Sequence, residues 1–209
     1  MINYINWQLN ELEKLNVPVL METEVTPELV KKEKPDVVFA ATGAEPIIPN
    51  IPGADRPNVV SAHDVLSGKV NTGNSVVVVG GGCVGAETAN QLANYLKGVT
   101  IIEMLDAIAG DEIVVPRWDL LEDLDRNKVR ICTKTTVDEI TDAGVKVSGA
   151  VNEVIPCDTV VLAVGAKPVL GLADALKKEG YDVRVIGDAA KVGLGGEAIM
   201  EGFEVGRTV

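Results

Sequence analysis

The residues of this 209-residue chain with the clearest chemical logic are Gly80, Gly82 and Gly85, spaced G-x-G-x-x-G within Gly80-Gly81-Gly82-Cys83-Val84-Gly85. Glycine at the first position permits a tight turn. At the second it lets the main chain approach a pyrophosphate, and at the third it lets a helix pack close to a strand. The free N–H groups and positive dipole of the helix start then face phosphate. Glu103 follows about 20 residues on, where an acid accepts hydrogen bonds from the ribose hydroxyls of adenosine. Met104 and Leu105 come next, with no adjacent arginine to hold a 2′-phosphate, which favours NAD(H) over NADP(H).

Positioning those residues takes a strand, a helix and a second strand. Val76 to Val79 form a β-branched run bounded by glycine, as expected of a strand buried in a parallel sheet. Ala89, Leu92, Ala93 and Leu96 recur at helical spacing, with Gly98 as the stop. Val99 to Ile102 close the unit at about 30 residues, the size the motif requires.

The composition narrows the alternatives. Apolar residues make up 46 % of the chain, which suits an α/β protein with a covered sheet. A net charge of −12 and only 3 % aromatic residues argue against nucleic acid or an anionic membrane surface as partner. The N-terminus has no signal-peptide pattern, and no apolar run approaches the roughly 18 residues of a membrane span, so a cytoplasmic protein is expected. Cys83, Cys132 and Cys157 are too scattered for a CxxC pair, a zinc site or an iron–sulfur run. His63 is the only histidine, which removes a Ser-His-Asp hydrolase and a histidine-rich metal site. No metal ligand is assigned.

Elsewhere, Ile5, Leu9 and Leu12 space out an amphipathic helix ended by Asn16, and Val17 to Met21 read as a short strand. Thr26-Pro27-Glu28 is a helix start with a capping hydroxyl, a first-turn proline and an early acid. Pro35 ends that helix, and Asp36 to Thr42 read as a strand. Gly43, Pro46, Pro49, Pro52 and Gly53 mark a crossing loop, and Lys69 to Asn74 a second boundary. Trp118, Leu121 and Leu124 mark a helix whose acids Glu122, Asp123 and Asp125 form a solvated face. Val129 to Cys132, Thr136 to Ile140, Val145 to Val147 and Val151 to Ile155 read as a small antiparallel meander. Asp158 to Val164 and Val183 to Ile186 are further strands, and a Gly193 to Gly196 loop leads to a last helix. Three strands end at Ala41-Thr42-Gly43, Ala163-Val164-Gly165 and Ile186-Gly187-Asp188, and open α/β sheets bind ligands beyond such ends.

These pieces, taken in order with the Pro49 to Gly53 loop and Glu87, resemble the two-dinucleotide fold of the pyridine nucleotide–disulfide oxidoreductases. Within it they resemble the C-terminal part of 2,4-dienoyl-CoA reductase, enoate reductase and trimethylamine dehydrogenase, which are related to old yellow enzyme. The resemblance implies that Thr42, Gly43, Gly187 and Asp188 face FAD. It implies that the Gly80–Gly85 turn and Glu103 hold the adenine half of a second nucleotide, with Gly165 between the two sites. Glu87 would point toward the flavin–nicotinamide interface or stand on the helix surface. The expected fold is a Rossmann-type NAD(H)-binding domain with an antiparallel meander, residues 70–156, inserted in an incomplete FAD-binding half, residues 1–69 and 157–209.

No first FAD fingerprint, iron–sulfur cysteine cluster or redox-active cysteine pair stands in the sequence. The resemblance therefore implies a piece of a larger oxidoreductase in which NADH passes hydride to FAD, with FMN and a 4Fe–4S centre in other parts. The isolated chain is expected to be inactive and to expose an apolar face where further FAD-domain strands would pack, which could drive homo-oligomerisation. Cofactors carry this chemistry, so no acid, base or nucleophile is assigned. A second reading is a non-catalytic module that binds ADP or NAD in a structural or regulatory role.

Overall fold

A computed structural model describes residues 2–95, 97–110 and 114–209 of the chain. Helices α1 (Ile2–Lys14) and α2 (Pro27–Glu33) precede the short strands β1 (Val38–Ala40) and β2 (Ala44–Pro46). Next come β3 (Val59–Ser61), α3 (Ala62–Leu66), β4 (Ser75–Val79), α4 (Cys83–Asn94) and β5 (Gly98–Ile102). They lead to α5 (Val114–Arg126), β6 (Arg130–Cys132), β7 (Thr135–Thr141), β8 (Gly144–Gly149) and β9 (Glu153–Ile155). The chain closes with β10 (Thr159–Leu162), β11 (Ala166–Pro168), α6 (Gly171–Lys178), β12 (Val183–Val185), a 3₁₀ turn (Gly187–Ala189) and α7 (Gly195–Gly206).

A five-stranded parallel sheet, in the order β3-β10-β4-β5-β6, is the centre of the molecule. β4 is apolar at four successive positions because both faces of the sheet are covered. Val76 and Val78 pack with Ala86, Ala89 and Leu92 of α4 and Leu124 of α5. Val77 and Val79 pack on the opposite side with Ile140, Val145, Val147 and Ile155 of the meander β7-β8-β9. Each of the four valines is 5 % exposed or less, and burying each contributes about 1.5–3 kcal/mol. The alanines of α4 let the helix lie close to the sheet. Leu96 lies outside the described residues.

Asp158 ties the amino ends of the two central strands. Its Oδ2 accepts from the N–H groups of Asn74 and Ser75, each at 2.9 Å, and its own N–H donates to the carbonyl of Ser75 at 2.8 Å. This fixes β10 beside β4 in parallel register, so both strands deliver their carboxyl ends to the same edge.

A smaller core stands apart from this sheet. β1 and β12 pair in parallel, and Val30 of α2 and Ala173 and Leu176 of α6 pack with Ala40 and Val183. The two connections between this pair and the large sheet run through β2 and β11. These lie side by side as an antiparallel ribbon, Ala44 opposite Pro168 and Pro46 opposite Ala166. Gly43 (φ +72°) and Gly165 (φ +96°) stand at its ends, in backbone conformations that favour glycine. Ile199, Met200 and Phe203 of α7 and Trp7 and Leu9 of α1 are exposed.

Several sequence expectations change. Val17 to Leu20 adopt no regular structure and Met21 enters a turn; among the described residues no strand pairs with this apolar run, which stays exposed. Asp36 to Thr42 contract to a three-residue strand. Gly98 opens β5 rather than stopping α4, which ends at Asn94. Val129 to Cys132 belong to the parallel sheet through β6 and not to the meander, because Thr100 to Ile102 of β5 supply their parallel partners. Strands β3 and β10, sequentially outside residues 70–156, hydrogen-bond into the same sheet.

Candidate functional site

The turn after β4 is built from glycine for separate local reasons. Gly80 has φ +100°, and a Cβ there would lie 2.4 Å from the carbonyl oxygen of Ala163 at the end of β10. Its N–H donates to the carbonyl of Ile102 at 2.9 Å. Gly85 would place a Cβ 2.0 Å from the carbonyl oxygen of Gly80, so the first turn of α4 sits directly on the turn before it. Gly82, at the N-cap of α4, has open space where a Cβ would stand. The first turn of α4 carries no acidic residue, so its positive end faces the turn unopposed from within the helix.

Gly80, Gly81 and Gly82 line a cleft of about 850 Å³ beyond the carboxyl edge of the large sheet. Glu103 and Gly165 line it as well. So do Met104 and Leu105, Thr136 and Val137 of the meander, and Pro49 and Ile51 of the crossing loop. Glu103 is 7 % exposed; one carboxylate oxygen accepts from the N–H of Gly81 at 2.6 Å and the other from the N–H of Leu105 at 2.7 Å. Met104 and Leu105 are exposed on the rim. The crossing loop is held against the meander where the N–H of Ile140 donates to the carbonyl of Pro52 at 2.8 Å, and by the ion pair of Arg56 with Asp142.

The remaining candidates separate into two places. Cys83 and Val84 stand in the first turn of α4, Val84 exposed and Gly85 buried, and Glu87 is exposed on the same helix. Thr42, Gly43, Gly187 and Asp188 do not line the large cleft. They follow the carboxyl ends of β1 and β12, where Ile186 donates to the carbonyl of Ala40 at 3.1 Å. The Thr42 hydroxyl donates to the carbonyl of Val169 at 2.5 Å. A second cleft of about 270 Å³ is lined there by Gly187, Asp188, Lys191 and Glu201. Glu201 of α7 accepts from the N–H of Gly187 at 2.6 Å, and Asp188 accepts from the N–H of Gly193 at 3.2 Å.

The sequence missed Glu201 and the walls formed by Thr136, Val137, Pro49 and Ile51. Glu201 is legible only as an acid on the helix after Gly187-Asp188. The walls have no local signal, because they reach the cleft from a separate hairpin and loop. Burial pushes the thiols of Cys132 and Cys157 above the ordinary cysteine range, as expected of small core residues. Among the described residues no cluster of histidine, cysteine or acids could hold a metal, and no helix is long and apolar enough to cross a membrane.

The sequence profile of the pyridine nucleotide-disulphide oxidoreductases matches residues 21–190. The chain belongs to this family. Its fold is accordingly the FAD/NAD-binding fold of that family. An NADH oxidase of Thermoanaerobacter brockii is 40 % identical over 96 % of the chain and 32 % of its own length. A cinnamate reductase of Clostridium sporogenes is 33 % identical over 98 % of the chain and 31 % of its length. The structure of a 2-naphthoyl-CoA reductase in complex with 2-naphthoyl-CoA superposes with a TM-score of 0.91 at 32 % identity, covering 99 % of this chain and 32 % of that one. The chain thus spans about a third of the length of these relatives.

Proposed function

We propose that the chain is the nucleotide-binding portion of a flavin-dependent NADH oxidoreductase. We assign it to the group of 2,4-dienoyl-CoA reductase, enoate reductase and trimethylamine dehydrogenase, acting in the cytoplasm. The observation that carries the reading is the cleft at the start of α4, open at Gly82 and bounded by Glu103. A glycine with free space on its Cβ side at a helix N-terminus fits a pyrophosphate that must approach the main chain.

In this reading Gly80, Gly81, Gly82, Cys83, Val84 and Gly85 hold the pyrophosphate of NAD(H), and Glu103 accepts from the adenosine ribose. Gly165 would lie between this nucleotide and FAD, which Thr42, Gly43, Gly187 and Asp188 would face. NADP(H) is disfavoured because Met104 and Leu105, rather than an arginine, follow Glu103. Bound there, NADH would supply a hydride that FAD would accept, and the protein's share would be binding and orientation. The cinnamate and 2-naphthoyl-CoA reductases among the relatives support reduction of an activated C=C bond by the whole enzyme, with FMN and a 4Fe–4S centre elsewhere in it.

Calorimetric titration with NADH, NADPH and FAD tests the reading. Tight NADH with feeble FAD supports it. Absence of binding by either NADH or ADP at saturating concentration overturns it.

A further inference from the structure

Glu103 is held in a frame of bonds from the chain itself. At the end of β5 its N–H donates to the carbonyl of Cys132 at 2.9 Å and its carbonyl accepts from Thr135 at 3.0 Å, so β6 and β7 fix its main chain. Its two carboxylate oxygens then reach in separate directions, one to the N–H of Gly81 and one to the N–H of Leu105. The carbonyl of Gly81 in turn accepts from Ala109 at 2.7 Å. Both polar groups of Gly81 are therefore bound by the 103–109 segment.

The same segment fills the space around that glycine. A Cβ on Gly81 would lie 2.6 Å from Cγ2 of Ile108 and 3.1 Å from Cβ of Glu103. Ile108 is 4 % exposed, and its carbonyl accepts from the guanidinium of Arg117 on α5 at 3.1 and 3.3 Å. A buried carboxylate is tolerated when its oxygens are hydrogen-bonded, and a buried N–H is costly when left alone. Glu103 and Gly81 satisfy each other. A carboxylate has about four lone-pair sites, so this bond leaves acceptor capacity for a ribose.

We infer that Glu103 is a positioning residue for the phosphate-binding turn, setting the Gly80–Gly82 backbone before any nucleotide arrives. The inference rests on reading the large cleft as a nucleotide site, and it separates two roles of one side chain. If Glu103 acted only on the ribose, its replacement would not affect a ligand that lacks the ribose hydroxyls. If it sets the turn, every ligand that uses the turn is weakened.

The test is calorimetry of ADP and of 2′,3′-dideoxy-ADP on the 209-residue chain and on Glu103→Gln, which puts an NH₂ donor where an oxygen now accepts. The expected result is a loss of roughly tenfold in affinity for both ligands. Alongside it, faster amide hydrogen exchange is expected at residues 81–86 and 104–110 of the nucleotide-free variant, with the meander unchanged. Equal affinity of dideoxy-ADP for variant and wild type, or unchanged exchange at Gly81 and Leu105, overturns the inference. Should Glu103→Gln not fold, Glu103→Asp keeps the charge and shortens the reach; the same two readouts then support or overturn the inference in the same way. Failure of the wild type to bind ADP would instead overturn the nucleotide reading beneath it; the exchange measurement still decides whether Glu103 sets the turn.

Discussion

Gly80 and Gly85 meet where neither has a side chain: the carbonyl oxygen of Gly80 occupies the place, 2.0 Å away, that a Cβ on Gly85 would need. The approach of helix to turn is thus set by contact between two backbones. Gly85→Ala must move either the turn or the first turn of α4. Overpacking of this kind costs about 1–3 kcal/mol, which exceeds the helix-propensity gain of up to about 1 kcal/mol. Urea denaturation should show a net loss of stability; an unchanged midpoint would mean the helix start can shift freely.

Gly82→Ala should behave in the opposite manner. Its methyl group enters open space, so folding stability should fall by less than about 1 kcal/mol, from the weaker N-cap alone. NADH affinity should fall by roughly tenfold or more, because the methyl stands where the pyrophosphate must approach. Paired denaturation and calorimetry measure both. Equal loss of stability and affinity would remove Gly82 from the binding surface.

Cofactor preference follows from the rim. Wild-type chain should bind NADH more tightly than NADPH, since a 2′-phosphate would approach the Glu103 carboxylate where Met104 and Leu105, rather than an arginine, follow it. Competition of the two nucleotides in a thermal-shift titration reads this directly, and equal shifts would contradict it.

Acid should loosen the join between β4 and β10. The N–H of Ser75, then its hydroxyl, then the N–H of Asn74 hold the Asp158 carboxyl below its ordinary pKa. A depressed folded-state value stabilises the protein above the ordinary carboxylate pKa, and that contribution disappears as pH falls through the folded-state value. Asp158→Asn should therefore be less stable than wild type at neutral pH, with the gap narrowing in strong acid. Denaturant midpoints across pH test the sign; a gap that widens in acid would refute it.

The β4–α4–β5 unit was legible because a buried strand, a glycine turn and an alanine-faced helix each leave a local pattern. The N-cap at Thr26 was equally local: its hydroxyl accepts from Leu29 in the structure. Sheet membership was not. Val59 to Ser61 and Thr159 to Leu162 are distant in sequence, and only tertiary pairing inserts β10 between β3 and β4. Val129 to Cys132 carries the same β-branched character whether its neighbour is a parallel strand or a hairpin, so period alone could not choose. Val17 to Met21 has strand composition, yet composition without a partner gives no ladder. At the large cleft the glycines and Glu103 announced themselves, whereas Thr136 and Val137 arrive through the packing of the meander.

The antiparallel ribbon of β2 and β11 has a consequence for how such a protein can be assembled. The polypeptide enters and leaves the large sheet through two adjacent, hydrogen-bonded strands. To its host the whole intervening stretch is therefore a loop whose ends are already joined, and closing it adds little entropy cost beyond the ribbon itself. A stretch with neighbouring ends can be spliced into an exposed turn of another domain, or replaced by a short bridge, without redirecting the host chain. The ribbon thus leaves residues 47–165 with neighbouring, hydrogen-bonded ends.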